Sequence, residues 1–188
     1  MNTNIILAGV GGQGILTIAA VIDLAALNQG LYIKQAEVHG MSQRGGEVQS
    51  HLRISSEVIH SDLIPLGAAD LIIALEPLEA LRYVPFLKSD AMIITATEAF
   101  VNISNYPAID EVLNSLRTFN SKLIAAAEIA KELGNAKAYN LVLLGAAAPY
   151  IGIETAVVES AIRTLFAAKG EEIVNSNLAA FRKGRGII

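Results

Sequence analysis

Residues Asn4 to Leu16 constrain this chain more than any other stretch. An apolar run, Ile5-Ile6-Leu7-Ala8, leads into Gly9-Val10-Gly11-Gly12-Gln13-Gly14, and Ile15-Leu16-Thr17-Ile18-Ala19-Ala20 follows. This reads as strand, turn, helix. A buried parallel strand is nearly continuous in apolar residues, and four glycines in six positions let a chain reverse sharply and let another group come close. Such a turn aims free backbone N–H groups and the positive end of a helix at one point, where phosphate commonly sits. Two readings stay open: a phosphate site, or glycines that only let the first helix pack tightly on the first strand.

The spacing Gly9, Gly11, Gly14 fits the G-x-G-x-x-G dinucleotide pattern, which also asks for an acidic residue about 20 positions on. Glu37 is the candidate, 23 residues past Gly14 and behind an expected strand Leu31–Gln35. That is late, which weakens an NAD or FAD reading.

With 188 residues the chain can bury one full core but hardly two, so residues 1–188 are read as a single domain. Hydrophobic residues make up 53% of it, yet no apolar run reaches membrane-spanning length and Met1-Asn2-Thr3-Asn4 lacks the basic start of a signal peptide. The expectation is a soluble, cytoplasmic protein. A net charge of −4 gives no pull toward nucleic acid or anionic membrane. Cysteine is absent, which excludes disulfides, thiolate metal sites, cysteine nucleophiles and an iron–sulfur cluster held by this chain in the all-cysteine manner. The three histidines, His39, His51 and His60, form no metal-binding pair, so no metal site is expected.

Beyond the turn, Ile15–Gln29 has the composition of a helix packed on a sheet, with Asn28-Gln29-Gly30 as its stop. A strand at Leu31–Gln35 would complete a βαβ unit and lie beside the first strand, parallel to it. Glu37-Val38-His39-Gly40-Met41-Ser42-Gln43-Arg44-Gly45-Gly46 then forms a long loop. Glu47–Ile54 alternates strictly, with Val48, Ser50, Leu52 and Ile54 on one face, and is expected to pair through Ser55-Ser56-Glu57 with Val58-Ile59-His60 as an antiparallel hairpin. Further strands are expected at Asp70–Leu75, Ala91–Thr95 and Ser121–Ala125, with helices at Leu78–Tyr83, where Pro77 suits a first helical turn, and Ile109–Arg117. From Ala127 the chain reads as helix only: Ala127–Leu133, Lys137–Tyr150, Thr155–Lys169 and Glu171–Arg182. The segment Arg182–Ile188 reads as a basic tail. The fold class is α/β: a three-layer, mainly parallel, Rossmann-like sheet with a β-hairpin insertion and C-terminal helices.

In such sheets ligands sit beyond the carboxyl ends of the strands. That rule puts the glycine turn, the Glu37–Gly46 loop, Glu76 and Thr95-Ala96-Thr97-Glu98 on one rim. No serine sits in a G-x-S-x-G elbow and no lysine follows the glycines as in a P-loop, so hydrolase and NTPase readings are weak. Arg44, beside two glycines, has two open readings: a guanidinium that reaches a carboxylate, a phosphate or a facing subunit, or a solvated arginine. His39 titrates near neutrality but has no visible orienting carboxylate. His51 and His60 read as exposed hairpin residues, and Glu76 as a helix cap. No residue stands out as catalytic.

Four blocks together carry a resemblance: Gly9–Gly14, Glu37–Gly46 with Ser50-His51-Leu52-Arg53, Glu76-Pro77-Leu78-Glu79-Ala80-Leu81-Arg82, and Asn140-Leu141-Val142-Leu143-Leu144-Gly145-Ala146. Over nearly its whole length the chain resembles the gamma domain of 2-oxoacid:ferredoxin oxidoreductases. Within that family it is most similar to the stand-alone beta subunits of the indolepyruvate-type enzymes. The His39-Gly40-Met41-Ser42-Gln43-Arg44-Gly45-Gly46 block is the most specific part of the match.

The resemblance implies a non-cluster subunit of an enzyme that oxidatively decarboxylates an aryl 2-oxoacid to an acyl-CoA and passes electrons to ferredoxin. Thiamine diphosphate and [4Fe-4S] clusters would belong to a larger partner subunit. His39 to Gly46 and Glu76 would then face that partner and the oxoacid or coenzyme A channel, and Gly9, Gly11, Gly12, Gln13 and Gly14 would contact a coenzyme A phosphate. Isolated chains could pair as homodimers. A reading of another class, a self-standing nucleotide- or CoA-binding module without catalysis, stays open.

Overall fold

The computed structural model describes residues 1–39 and 45–187. Six strands form one sheet in the order β2-β3-β1-β4-β5-β6: β1 (Asn2–Val10), β2 (Tyr32–His39), β3 (Glu47–Ser55), β4 (Ala69–Ala74), β5 (Leu87–Ala96) and β6 (Ser121–Ile124). β1, β4, β5 and β6 run parallel, while β3 lies antiparallel to both β1 and β2. The α/β class, the parallel majority and the helical C-terminal half are as the sequence led us to expect.

Two expectations about the inserted hairpin need correction. β2 runs in the direction of β1 but is not its neighbour, because β3 is threaded between them, with Leu52 opposite both Ile5 and Gln35. The hairpin therefore joins β2 to β3. Val58-Ile59-His60 is not a strand; it belongs to an irregular segment from which Ile64 turns back onto β3.

One face of the sheet carries α1 (Ile15–Asn28) and α5 (Tyr139–Ile151), with α4 (Ala126–Glu132), α6 (Thr155–Phe166) and α7 (Glu171–Arg185) packed against them. The other carries α2 (Pro77–Arg82) and α3 (Ile109–Leu116). The helices thus make three layers with the sheet, and each face has its own apolar cluster. Val142, Leu143, Leu144, Ala146 and Ala147 are all fully buried, because α5 is sandwiched between the sheet and α7; a helix enclosed on all sides is apolar all round. Where α5 and α7 cross, a Cβ on Gly145 would overlap the Phe181 carbonyl, and one on Gly184 the Val142 carbonyl. Residues Arg182 to Arg185 are accordingly the last turn of α7 and not a tail. The positive side chains Arg182, Lys183 and Arg185 suit that end of the helix dipole.

α1 leaves β1 toward one face and α2 leaves β4 toward the other, so the β1/β4 boundary is the topological switch point of the sheet.

Candidate functional site

The glycine turn follows β1 at the carboxyl edge and is braced from three sides. Gln13 reaches across the switch point: its Oε1 accepts the Val10 N–H at 2.7 Å and its Nε2 donates to the Leu75 carbonyl at 3.2 Å. Gly11 N–H donates to the Gly46 carbonyl at 2.8 Å, and Gly45 N–H to the Gly11 carbonyl at 3.3 Å. Asn102 Nδ2 donates to the Gly45 carbonyl at 2.8 Å. On the helical side, the Tyr139 hydroxyl donates to the Gln13 carbonyl at 3.0 Å, and burial pushes its pKa up to about 12. The turn is thereby a fixed framework in which strand β1, the start of β3 and the start of α5 meet.

Of the expected rim residues, the structure brings together Gly9, Gly11, Gly12, Gln13, Gly14, Gly45, Gly46, Glu76 and Thr95 to Glu98 at the carboxyl edge. His39 ends β2 opposite Val48. Gly40, Met41, Ser42, Gln43 and Arg44 lie outside the described residues, so the most specific block of the sequence is framed by its two ends. Glu76 is 1% exposed. Its Oε2 accepts the Glu79 N–H at 2.8 Å, which caps α2, while Oε1 accepts the Tyr106 hydroxyl and, at 3.4 Å, the Phe100 N–H. Glu76 thus caps α2, as its place before Pro77 suggests, and also pins the loop that carries Asn102. Glu98 Oε1 accepts the Ala127 N–H at 3.0 Å at the start of α4. Glu47, at the first residue of β3, accepts the Tyr83 hydroxyl and lies 3.7 Å from Arg82 Nε, which also pairs with Glu79 at 3.0 Å. Burial raises the Glu79 carboxyl, an effect the Arg82 guanidinium opposes.

Glu37 is no ribose ligand for this turn. It pairs with Ser50, which pairs with Leu7, so two strand spacings, about 10 Å, separate it from β1. His51 is 5% exposed, where exposure was expected. Its Nδ1 accepts the Ile64 N–H at 2.9 Å, and the Phe86 ring stands edge-on at 5.3 Å. Burial lowers its pKa, and an Nδ1 that accepts a backbone proton belongs to the neutral imidazole. His51 is a core residue. His60 is exposed, as expected.

A pocket of about 470 Å³ opens on the helical side of the turn, between Gly12 to Gly14 and the helices α5, α6 and α7. Lys137, Lys169, Asn140 and Asn177 line it, and the sequence reading singled out none of the two lysines or Asn177. One signal was present: Asn177 falls among Val174, Leu178 and Phe181 on the buried stripe of α7, a polar residue at a core position. No group of three His, Cys, Asp or Glu side chains able to hold a metal occurs among the described residues. With no cysteine in the chain, these residues do not fit an iron–sulfur cluster. No described helix is long and apolar enough to cross a membrane.

Comparison with known proteins agrees with this architecture. The family model "Pyruvate ferredoxin/flavodoxin oxidoreductase" matches residues 4–187. The chain is 40% identical to indolepyruvate oxidoreductase subunit IorB of Archaeoglobus fulgidus, over 98% of its own length and 94% of that protein. It is 37% identical to the IorB of Methanothermobacter thermautotrophicus, over 99% of its own length and 97% of that subunit. The fold is shared with 2-oxoglutarate:ferredoxin oxidoreductase from Magnetococcus marinus, solved with 2-oxoglutarate, coenzyme A and succinyl-CoA bound. There the TM-score is 0.79 at 22% identity, and the match covers 99% of this chain and 31% of the longer one. A family match over nearly the whole chain, with relatives of equal length that are oxidoreductase subunits, establishes that this chain belongs to the pyruvate ferredoxin/flavodoxin oxidoreductase family.

Proposed function

We propose that the chain is the non-cluster subunit of a cytoplasmic 2-oxoacid:ferredoxin oxidoreductase that acts on indolepyruvate or a related aryl 2-oxoacid, forming the acyl-CoA and reducing ferredoxin. The observation that carries this reading is 40% identity to an indolepyruvate oxidoreductase subunit across 98% of the chain. Thiamine diphosphate and [4Fe-4S] clusters are assigned to a larger partner subunit, which supplies the decarboxylation and electron-transfer chemistry. This is supported by the thiol-free composition and by a domain that corresponds to 31% of a longer chain in the Magnetococcus marinus enzyme.

This chain's own contribution is a rigid edge. The glycine turn, held by Gln13, Gly46 and Tyr139, is assigned to a coenzyme A phosphate. Uncapped backbone N–H groups at the start of α1 favour an anion there. The block His39 to Gly46, fixed at one end by β2 and at the other by Gly45 and Gly46, is assigned to the partner subunit and the oxoacid channel. Glu76, expected to face them too, is buried with both oxygens engaged and serves instead to cap α2 and pin the neighbouring loop. In isolation the same edge can pair two copies of the chain.

Purification of the native complex tests the subunit reading. A larger thiamine- and iron-containing chain should co-purify with this one, and a native preparation holding this chain alone overturns it. In the reconstituted complex, replacing Gly12 by a bulky residue should raise the KM for coenzyme A; an unchanged KM removes the phosphate assignment. Arg44→Ala should weaken subunit association or slow turnover, and normal assembly with normal rates removes the assignment of the loop.

A further inference from the structure

The switch-point crevice, the usual ligand position in open α/β sheets, is bridged here by the Gln13 side chain between Val10 and Leu75. Open volume is found on the helical side of the turn. We propose that the pocket between the glycine turn and the C-terminal helices binds a phosphate-bearing ligand of mononucleotide size. Its phosphates would lie between the amino-terminal end of α1 and the ammonium groups of Lys137 and Lys169.

Charge is the first argument. The chain carries net −4, yet the residues that line this pocket include two lysines and no aspartate or glutamate. Two helices begin at it. α1 and α5 each lack an acidic residue in the first turn, so no carboxylate on either helix offsets its positive end. The N–H groups of Gly14, Ile15 and Leu16 have no backbone acceptor among the described residues. Lys169 Nζ sits 5.3 Å from the centroid of the Phe166 ring, which holds the ammonium near the pocket wall.

Asn177 supplies the second, independent argument. It is 5% exposed and lines the pocket from α7, and its side-chain amide makes no hydrogen bond to any described residue. Buried amides are normally paired. An amide held in a core stripe whose polar atoms open onto a cavity is free to donate to and accept from a ligand there. The volume of about 470 Å³ lies within the range of small-molecule sites, and Phe166, Ile173 and Leu141 give the pocket an apolar wall that a bare phosphate would not use.

The pocket shares the glycine turn with the coenzyme A assignment above, and it rests on the turn being a phosphate site, not on coenzyme A being the occupant. The two ideas fail separately. ADP binding combined with an unchanged coenzyme A KM in the Gly12 variant rejects coenzyme A alone; a raised KM without ADP binding rejects the pocket alone.

The test is calorimetric titration of the full chain with ADP, inorganic pyrophosphate and adenosine. ADP should bind more tightly than pyrophosphate, adenosine should not bind, and affinity should fall with added salt. A Lys137→Ala/Lys169→Ala double variant should lose at least about tenfold in ADP affinity, with its melting temperature unchanged because both side chains are exposed. Asn177→Ala should weaken ADP binding as well. Three results overturn the proposal: no ADP binding by the folded chain, wild-type ADP affinity in the double lysine variant, or adenosine binding as tightly as ADP. Pyrophosphate binding as tightly as ADP overturns the nucleotide-sized occupant.

Discussion

Asn140 Nδ2 donates to the carbonyl of Gly14 at 3.3 Å, joining the first turn of α5 to the first turn of α1 across 126 residues of sequence. Asn140 Oδ1 in turn accepts the Leu141 N–H at 2.9 Å. Through this amide, the C-terminal helices fix the position of the turn that the opening residues of the chain create.

Gly14 has φ +90°, and a Cβ placed on it would lie 2.6 Å from Asn140 Nδ2. Gly14→Ala should therefore cost about 1–3 kcal/mol in stability from the left-handed backbone alone, and it should also displace Asn140. A urea denaturation midpoint equal to that of the native chain would show that the turn adopts another conformation.

The crossing of α5 and α7 makes a comparable demand far from the turn. A Cβ on Gly145 meets the Phe181 carbonyl, and neither helix backbone can yield easily. Gly145→Ala and Gly184→Ala should each destabilise by about 1–3 kcal/mol, the usual cost of overpacking. Unchanged thermal midpoints in both variants would mean that the helices sit farther apart than described.

Glu76 and Tyr106 should be energetically coupled. Glu76→Ala removes the cap of α2 and leaves the Tyr106 hydroxyl without its acceptor, with an expected loss of about 1–3 kcal/mol. Tyr106→Phe should lose less. The double variant should lose less than the two single losses together, by about 0.5 kcal/mol or more. Strict additivity in a double-mutant cycle would show that the two side chains act independently.

Burial pushes the Asp23 carboxyl up to about 6, and its Oδ1 is buried with no hydrogen-bond partner among the described residues. The folded pKa lies above the unfolded one. Between about pH 4 and pH 6 the folded chain therefore holds the proton more tightly, and this group's contribution to stability falls as pH rises through that window. His51, whose pKa is lowered by burial, acts in the opposite sense: its contribution falls as pH drops below about 6.5. Asp23→Asn isolates the first effect. Allowing for the partly exposed carboxyl, it should stabilise the chain by about 1 kcal/mol at pH 7.5 and by little at pH 4. An equal effect at both values would contradict the assignment.

The glycine turn, the cap at Glu76, the first-turn Pro77 and the helical C-terminal half were legible in the sequence because each follows from local chemistry within a few residues. The place of β2 was not. The crossover rule fixes the direction of a strand after βα, and β2 does run with β1. Adjacency is a different matter, decided by whether the alternating Glu47–Ser55 can match both strands at once, as Leu52 does opposite Ile5 and Gln35. The burial of His51 depends on Ile64 and Phe86, neither of which is near it in sequence. The pocket residues Lys137, Lys169 and Asn177 come from three different helical segments, and only the packing of α5 against α7 turns them toward Gly14.

Oxidation of indolepyruvate with coenzyme A and an electron acceptor, measured on the purified chain alone and again after addition of the larger subunit from the same cell, tests the incompleteness of this polypeptide most directly. The expected result is no turnover by the isolated chain, no iron–sulfur absorbance in its visible spectrum, and activity only in the reconstituted pair. Steady turnover by the isolated chain would contradict it.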